Sequence, residues 1–302
     1  GAAVAVAHLA TARRSTGRDP RTLPPPIPTH AVRTARRSTV ALIPSPRHTA
    51  ADLAEWRRYE HWDDTLARSS QLDRMADKAR ALIEQFADAG PCYLSVSWGK
   101  DSVVVAHLLA TSRAGERVPL VFARACHWET PEVDQVRDAF LTAYPHVRYE
   151  EIEYEFRVPL RGEPGFDSDD TPTQDALRET LDQVHGGRRI SGVRAEESAI
   201  RAKSLRRHGD ATDRTCRPII RWRCAEHVFP YLHKHDLPVH PIYAMTAGGH
   251  YDRRWLRVHA LGCQRPDMSA VYSKDPDAWE RLYYQDVITA AAEARKHMWT
   301  HA

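Results

Sequence analysis

The sequence lacks several features that would point to particular classes of protein. No apolar run approaches the roughly 18 residues that a membrane-spanning helix needs, so we expect no membrane partner. The seventeen histidines include no H-E-x-x-H or comparable zinc-binding spacing. A formal net charge of +3 over 302 residues is too small to indicate, by itself, a protein that binds nucleic acid.

Cysteine is also scarce, and the five cysteines are widely spaced. They are Cys92, Cys126, Cys216, Cys224 and Cys263, and no two of them form a C-x-x-C pair. An odd number of cysteines without a pairing motif fits a reducing compartment better than a disulfide framework. No secretory signal peptide is apparent either, so we expect a cytoplasmic protein.

Residues 1–50 differ in composition from the rest of the chain. They contain eight arginines and seven prolines but a single acidic residue, Asp19. A segment of this composition buries too little apolar surface to offset its ordering entropy, and we predict a disordered basic arm. A solvated tail or over-long gene start, contact with nucleic acid, and an organelle transit peptide all fit this composition.

The remaining chain shows a helical segment and then a regular alternation of elements. Apolar residues recur at helical spacing over 51–90, and Gly90-Pro91 ends that segment. Short apolar runs then predict strands at 92–96, 119–125, 147–152, 189–193 and 219–222. Helices are predicted between and after them at 103–110, 131–143, 176–184, 196–207 and 225–235.

This alternation predicts an α/β fold. We expect a mainly parallel, doubly wound sheet of about five strands with helices on both faces, preceded by the N-terminal helical segment. The α/β domain is predicted to span 91–265, with a helical tail over 266–302. Ligands of such sheets bind beyond the carboxyl ends of the strands, near the point where the strand order reverses.

The most specific feature follows the first predicted strand. There the chain reads Ser97-Trp98-Gly99-Lys100-Asp101-Ser102 and then opens a helix. Glycine lets a ligand approach the backbone closely, and a helix start favours anions through its unpaired N–H groups and positive dipole end. Ser97 and Ser102 add hydroxyl donors and Lys100 a cation, while Asp101 could cap the helix or hold Mg²⁺. The alternative is a capped turn without a ligand.

This turn is not a Walker A loop. That motif would require glycine at Leu94 and serine or threonine at Asp101. A kinase, or an enzyme that hydrolyses the γ-phosphate, is therefore disfavoured.

A second polar segment follows the fourth predicted strand. It reads Gly192-Val193-Arg194-Ala195-Glu196-Glu197-Ser198, and Arg201 lies seven residues after Arg194, about two helical turns, so it could share the same face. Arg194 would leave the strand end and pair with a phosphate or sulfate group, while Glu197 orients that arginine or caps the next helix. The alternative is a surface helix with its own salt bridges.

The turn at 97–102 resembles the PP-loop of the adenine nucleotide α-hydrolase-like superfamily. Within it, the chain most resembles the phosphoadenosine phosphosulfate (PAPS) reductase family, which also includes the small subunit of ATP sulfurylase. Further segments resemble the family's G-x-R-x-x-E-S, R-P-I-x-x-W, L-P-x-(H/N)-P-x-Y and R-x-G-C in the same order: they are 192–198, Arg217 to Trp222, Leu237 to Tyr243, and Arg257 with Gly262-Cys263. The resemblance covers roughly 92–265.

The resemblance implies a Rossmann-like (HUP) fold, a bound adenine nucleotide and a set of nucleotide-binding residues. These are Ser95, Ser97, Trp98, Gly99, Lys100, Asp101, Ser102, Gly192, Arg194, Glu197, Ser198, Arg201 and Arg257. The role of Trp98 stays open between stacking on a base and filling a gap between helix and sheet.

The chain departs from the family's reductases in two respects. No E-C-G-x-H segment follows Cys263, and such reductases tend to lack the Lys100-Asp101 pair. Both departures favour ATP as the nucleotide, with Mg²⁺ as cofactor held by Asp101. We expect cleavage between the α- and β-phosphates, release of pyrophosphate, and adenylyl transfer to an oxyanion or sulfur-containing acceptor. Lys100, Asp101, Arg194 and Cys263 are the predicted catalytic residues.

Two other functions stay open at this point. One is a PAPS or adenylylsulfate reductase that releases sulfite, and the other is a non-catalytic module that binds a nucleotide or nucleic acid. Cys216, Cys224 and Cys263 could be inert, one could carry a persulfide, or several could bind an iron–sulfur cluster, although no spacing matches a compact cluster motif. Association into a homo-oligomer is compatible with the sequence.

Overall fold

The computed structural model describes residues 42–126, 131–155, 179, 181–246, 248–250, 252–256 and 258. Several predicted features lie outside the described residues: the N-terminal arm up to residue 41, the tail at 266–302, Arg257 and Cys263. No helix among the described residues is long and apolar enough to cross a membrane.

A five-stranded parallel sheet forms the centre of the described structure. Its strands are β1 (Tyr93–Val96), β2 (Leu120–Cys126), β3 (Tyr149–Glu155), β4 (Arg189–Ile190) and β5 (Thr215–Cys216). Their order across the sheet is β3-β2-β1-β4-β5, and every neighbouring pair is parallel. The strand order reverses between β1 and β4, as in a doubly wound sheet. The predicted α/β fold with about five parallel strands is confirmed.

Six α-helices are described around this sheet. They are α1 (Ala50–Ala67), α2 (Ser70–Asp88), α3 (Lys100–Ala110), α4 (Pro131–Ala143), α5 (Ala199–His208) and α6 (Phe229–Lys234). Residues 181–185 are also helical, and a π-helical turn, Cys224–Val228, leads into α6. Short 3₁₀ turns occur at Ala195–Glu197, Pro241–Ala244 and Arg253–Trp255.

The side chains of the central strands alternate between two apolar layers. Leu94 and Phe122 belong to the main core, which includes α2, α3, α4 and α6. Tyr93 and Val121 belong to the opposite layer, where they pack with Leu181. Because successive strand residues point to opposite faces, a strand buried on both faces must be apolar throughout, as β2 largely is.

The predicted N-terminal helix is in fact two helices. The helix is interrupted at Ser69, whose hydroxyl accepts the N–H of Gln71 and so caps α2. A second cap starts α1, where Thr49 and Asp52 form a reciprocal capping box. Polar capping residues mark both helix starts, and helical periodicity alone does not identify them.

The predicted fifth strand at 219–222 was wrong. The strand that pairs with β4 is Thr215–Cys216, which aligns with Arg189 and Ile190. Residues 218–221 form a turn instead, in which the N–H of Ile220 donates to the carbonyl of Arg217, and Ile219, Ile220 and Trp222 are buried. An apolar run indicates that a segment is buried, but it does not distinguish a buried strand from a buried turn.

Candidate functional site

The site lies where the strand order reverses. β1 and β4 are hydrogen-bonded neighbours, although β2 and β3 lie between them in the chain. The turn 97–99 leaves the carboxyl end of β1, and residues 191–194 leave the carboxyl end of β4. Parallel strands place these two segments at the same edge of the sheet, which is the usual ligand position in such folds.

The turn after β1 is held by its own serine. The Ser102 hydroxyl donates to the carbonyl of Gly99 at 3.1 Å and accepts the N–H of Ser97 at 3.2 Å. Trp98 adopts a positive φ of 55°, and Gly99 is the N-cap of α3 without a side-chain cap. Because no side chain caps it, the start of α3 keeps backbone donors that a serine or aspartate cap would otherwise use.

Those donors differ in their partners. The N–H of Lys100 donates to the Tyr243 hydroxyl at 3.1 Å. The described residues supply no acceptor for the N–H of Asp101 or of Ser102. Gly192 lies directly against this backbone, since a Cβ there would sit 3.0 Å from the carbonyl carbon and oxygen of Asp101. Two N–H groups at a helix start are thus left for an anion.

A buried network of charged side chains joins the two segments. The Arg194 Nε donates to Asp101 Oδ1 at 2.6 Å, and Arg194 also pairs with Glu196. The Lys100 Nζ lies 3.3 Å from Asp101 Oδ2 and donates to the carbonyl of Leu256 at 3.4 Å. The side chains of Lys100 and Arg194 are 5% and 2% exposed. These two cations and two anions balance one another.

The network keeps its members ionised. Burial pushes the pKa of Asp101 upward, but Lys100 and Arg194 together outweigh it and hold the pKa below its usual range. Burial likewise opposes the charge of Lys100 and Arg194, yet Asp101 raises the pKa of both above their ordinary values. Lys100 and Arg194 are therefore both positively charged at neutral pH, and each is paired with Asp101.

Glu197, Ser198 and Arg201 support this network from the next helix. Glu197 Oε2 accepts the N–H of Arg194 at 2.7 Å and pairs with Arg201. The Ser198 hydroxyl accepts the N–H of Arg201 at 3.2 Å and caps α5. Arg201 is half-buried and engaged with Glu197, so these residues position Arg194 in the described structure.

Two predicted nucleotide-binding side chains lie away from the unpaired donors. Trp98 is fully buried, with its indole packed against Phe140 and Tyr149 at centroid distances of 5.6 and 5.8 Å. Of the two roles considered for Trp98, filling the gap between helix and sheet is the one that this packing supports, and the side chain is not placed to stack on a base. Ser95 lies inside β1, on the face of Tyr93, and is exposed.

The three cysteines with described side chains are free and buried: Cys92, Cys216 and Cys224. Burial raises the pKa of Cys216 and of Cys224 to about 12. Cys224 is part of the site's surroundings, because its N–H donates to Glu196 Oε1 at 2.7 Å. Neither thiol is a thiolate at neutral pH, and the thiolate is the reactive form.

A magnesium ion fits poorly with the described side chains. Both oxygens of Asp101 already face Arg194 and Lys100, and Glu196 and Glu197 are paired with arginines. No group of three His, Cys, Asp or Glu side chains among the described residues could hold a metal ion. A magnesium site at Asp101 and an iron–sulfur cluster stay predictions without support from this geometry.

Sequence analysis did not assign a role to Tyr243 or Glu196. Tyr243 ends the segment that resembles L-P-x-(H/N)-P-x-Y, and Glu196 lies between two residues of the G-x-R-x-x-E-S segment. Their positions within these segments could therefore have marked both residues as candidates for the site. Leu256 gave none, since it contributes only a backbone carbonyl.

The fold and the site define a doubly wound α/β protein with an anion-compatible helix start at the switch point, a class that includes nucleotide-binding proteins. A family model for the phosphoadenosine phosphosulfate reductase domain matches residues 91–265, more than half of the chain. The chain therefore belongs to the phosphoadenosine phosphosulfate reductase domain family.

Two individual proteins illustrate the similarity. A phosphoadenosine 5'-phosphosulfate reductase of Xanthomonas euvesicatoria pv. vesicatoria (strain 85-10) is 28% identical over 211 residues, which cover 64% of this chain and 85% of that protein. A crystal structure of phosphoadenylyl-sulfate (PAPS) reductase from Candida auris, in a phosphate complex, matches with a TM-score of 0.40 and 14% identity. That match covers 59% of this chain and 92% of the other.

Proposed function

We propose that this chain binds ATP at the switch point and cleaves it between the α- and β-phosphates. An oxyanion or sulfur-containing acceptor would attack the α-phosphorus, the bond to the bridging oxygen would break, and pyrophosphate would leave with that oxygen. The observation that carries the proposal is the start of α3, where the unpaired N–H groups of Asp101 and Ser102 adjoin the buried charges of Lys100 and Arg194.

The chemistry asked of these residues is mainly electrostatic. Donors and cations that are already fixed in place stabilise developing negative charge without further reorganisation. Lys100 and Arg194 are fixed by Asp101, and Arg194 is further held by Glu196. Magnesium, if it takes part, would enter with the phosphates and supply further charge neutralisation there.

The described cysteines near the network offer no nucleophile for a thiol-dependent reaction, and Cys263 lies outside the described residues. A reductase of a sulfonucleotide needs a thiolate, whereas attack on an α-phosphorus by an oxyanion does not. Cys216 and Cys224 are buried, and the pKa of each is raised to about 12. Among the described residues, therefore, no side chain near the network supplies a ready thiolate.

The test is release of pyrophosphate from ATP in the presence of magnesium and candidate acceptors such as sulfate. We expect Lys100→Met to lower turnover by about a hundredfold or more, because it removes a buried cation next to the N–H groups that we propose bind phosphate. Lys78→Met is the matched control, since Lys78 is an exposed lysine on α2. Failure of the wild-type protein to release pyrophosphate, or wild-type turnover in Lys100→Met, would contradict the proposal.

A second candidate function is reduction of a sulfonucleotide with release of sulfite. It is supported by the Xanthomonas protein, which is a PAPS reductase by name and is matched over 85% of its length. Thioredoxin-dependent sulfite release from PAPS that is abolished by Cys263→Ser would establish it. Thermal protection by PAPS without protection by ATP would point the same way, because a ligand of the native state raises its apparent stability.

A further inference from the structure

Tyr243 reaches the phosphate-binding turn from a distant part of the chain. It belongs to the 3₁₀ turn Pro241–Ala244, whose start is capped by the His240 ring. Its hydroxyl accepts the N–H of Lys100 at 3.1 Å, and the Lys100 Nζ lies 4.9 Å from the centre of its ring. A Cβ on Gly99 would come within 3.0 Å of the same hydroxyl. The hydroxyl is therefore in direct contact with the start of α3.

The Tyr243 hydroxyl accepts a hydrogen bond, but its own proton has no acceptor among the described residues. Tyr243 is 2% exposed, and Phe229 packs edge-on against its ring at a centroid distance of 5.9 Å. A tyrosine hydroxyl both accepts and donates. The described residues show it accepting from Lys100 but supply no acceptor for its own proton. Since buried polar groups are normally satisfied, an unused buried donor indicates a missing partner.

An anion bound by the neighbouring N–H groups would also accept the proton of this hydroxyl. The N–H groups of Asp101 and Ser102 follow Lys100 directly in the first turn of α3 and also have no acceptor among the described residues. Burial raises the pKa of Tyr243, so the hydroxyl keeps its proton at neutral pH. Negatively charged oxygen is the acceptor that forms the strongest bonds with such donors.

We propose that the Tyr243 hydroxyl is a further phosphate-binding group of this site: it accepts the N–H of Lys100 and donates its proton to a phosphate oxygen of the nucleotide. The proposal rests on the proposed function in so far as the nucleotide is a phosphate ester bound at the start of α3. It does not depend on which bond of the nucleotide is cleaved.

The experiment is binding of three probes to Tyr243→Phe: ATP, inorganic pyrophosphate and adenosine. Loss of one hydrogen bond to a charged acceptor should weaken ATP and pyrophosphate by about tenfold or more. Adenosine, which has no phosphate, should bind as it does to the wild-type protein. Tyr231→Phe is the matched control, because Tyr231 is equally buried and bonds His107 at 2.8 Å away from the turn. It should leave all three affinities unchanged.

The outcomes separate the two proposals. A wild-type protein that binds neither ATP nor pyrophosphate overturns the proposed function. Wild-type binding with equal or tighter binding to Tyr243→Phe overturns the role of Tyr243 alone, as does an equal loss for adenosine. If Tyr243→Phe does not fold, Gly99→Ala displaces the hydroxyl by contact, and unchanged pyrophosphate affinity there would equally overturn the role.

Discussion

Two buried arginine–aspartate pairs in this molecule have almost the same geometry and different surroundings. Arg194 meets Asp101 at the switch point, and Arg253 meets Asp63 between the turn Arg253–Trp255 and α1. Both contacts measure 2.6 Å, and the two arginine side chains are 2% and 3% exposed. The contact distance and the burial of the arginine do not distinguish the two pairs, although Asp101 is more exposed than Asp63, at 16% against 3%.

Their surroundings do distinguish them. The Arg253 guanidinium lies 3.8 to 5.2 Å from the ring centres of Phe229, Tyr59 and Trp56, so aromatic faces enclose it. Burial raises the pKa of Asp63, and Arg253 only partly offsets that effect. The pKa of Asp101 instead falls, because Lys100 adds a second cation to the same carboxylate.

The comparison shows which features of a buried pair indicate a ligand. Arg253 and Asp63 fix an aromatic-lined contact, in which the buried Arg253 Nη1 is the one donor without an acceptor among the described residues. The pair at the switch point adjoins two N–H groups without acceptors and the unused proton of Tyr243. A buried pair with a single unused donor enclosed by aromatic rings is thus compatible with a purely structural role, whereas several unused donors grouped at a helix start favour a binding site.

The largest effect is expected for Asp63→Ala. It leaves the Arg253 cation buried without its anion, and breaking such a pair typically costs about 3–5 kcal/mol of unfolding free energy. Urea unfolding measures that loss. If the pair is purely structural, the fraction that folds should bind ATP with wild-type affinity. A loss below about 1 kcal/mol, or a tenfold change in ATP affinity, would remove the distinction between the two pairs.

Much of the fold could be predicted from local pattern. The apolar run at 93–96, the glycine-containing turn and the helix start are adjacent in the chain, so alternation alone located β1 and α3. The strands β4 and β5 have two residues each, which is too short for a period-2 pattern to show. The prediction accordingly placed the fifth strand on a longer apolar run that forms a turn.

The site was predictable where neighbours in the chain are neighbours in space. Lys100, Asp101 and Arg194 stand out because charged residues directly follow buried strands. The contact between Tyr243 and Lys100 spans 143 positions of the chain, and no periodicity reports a contact of that separation. The packing of Trp98 on Phe140 and Tyr149 likewise depends on how α4 and β3 lie against the turn.

A middle-sized effect is expected for Gly192→Ala, which tests whether the switch-point pair depends on a precise loop. The new Cβ would lie 3.0 Å from the Asp101 carbonyl and 3.2 Å from the Ser102 nitrogen, and backbone cannot turn aside as a side chain can. Overpacking of this kind costs about 1–3 kcal/mol. Because the displaced atoms carry the unpaired donors, we also expect weaker binding of pyrophosphate, measured by calorimetry.

Gly209→Ala is the control for that variant. Gly209 has a φ of +64°, which strains any other residue by about 1–3 kcal/mol, but a Cβ there meets nothing within 4 Å. The two variants should therefore lose similar unfolding free energy and differ in pyrophosphate affinity. Equal affinity in both would show that the spacing between Gly192 and α3 does not govern anion binding.

The smallest effect concerns acid stability, where the two pairs should respond with opposite sign. The lowered pKa of Asp101 contributes stability above the unfolded value near 3.8, and that contribution is lost as the pH falls through the lower folded pKa. The raised pKa of Asp63, set by burial with Arg253 and His233 opposing it, does the reverse: stability rises as the pH falls from neutrality through that pKa. Each pKa unit is worth about 1.4 kcal/mol.

Urea unfolding of Asp101→Asn and Asp63→Asn between pH 3 and 7 separates the two contributions. The stability difference between wild type and Asp101→Asn should shrink as the pH drops below about 4, because only the wild type loses a paired carboxylate there. The difference between wild type and Asp63→Asn should shift in favour of the wild type as the pH falls from 7 toward 4. If both differences moved in the same direction, the second cation beside Asp101 would not be what sets the two buried pairs apart.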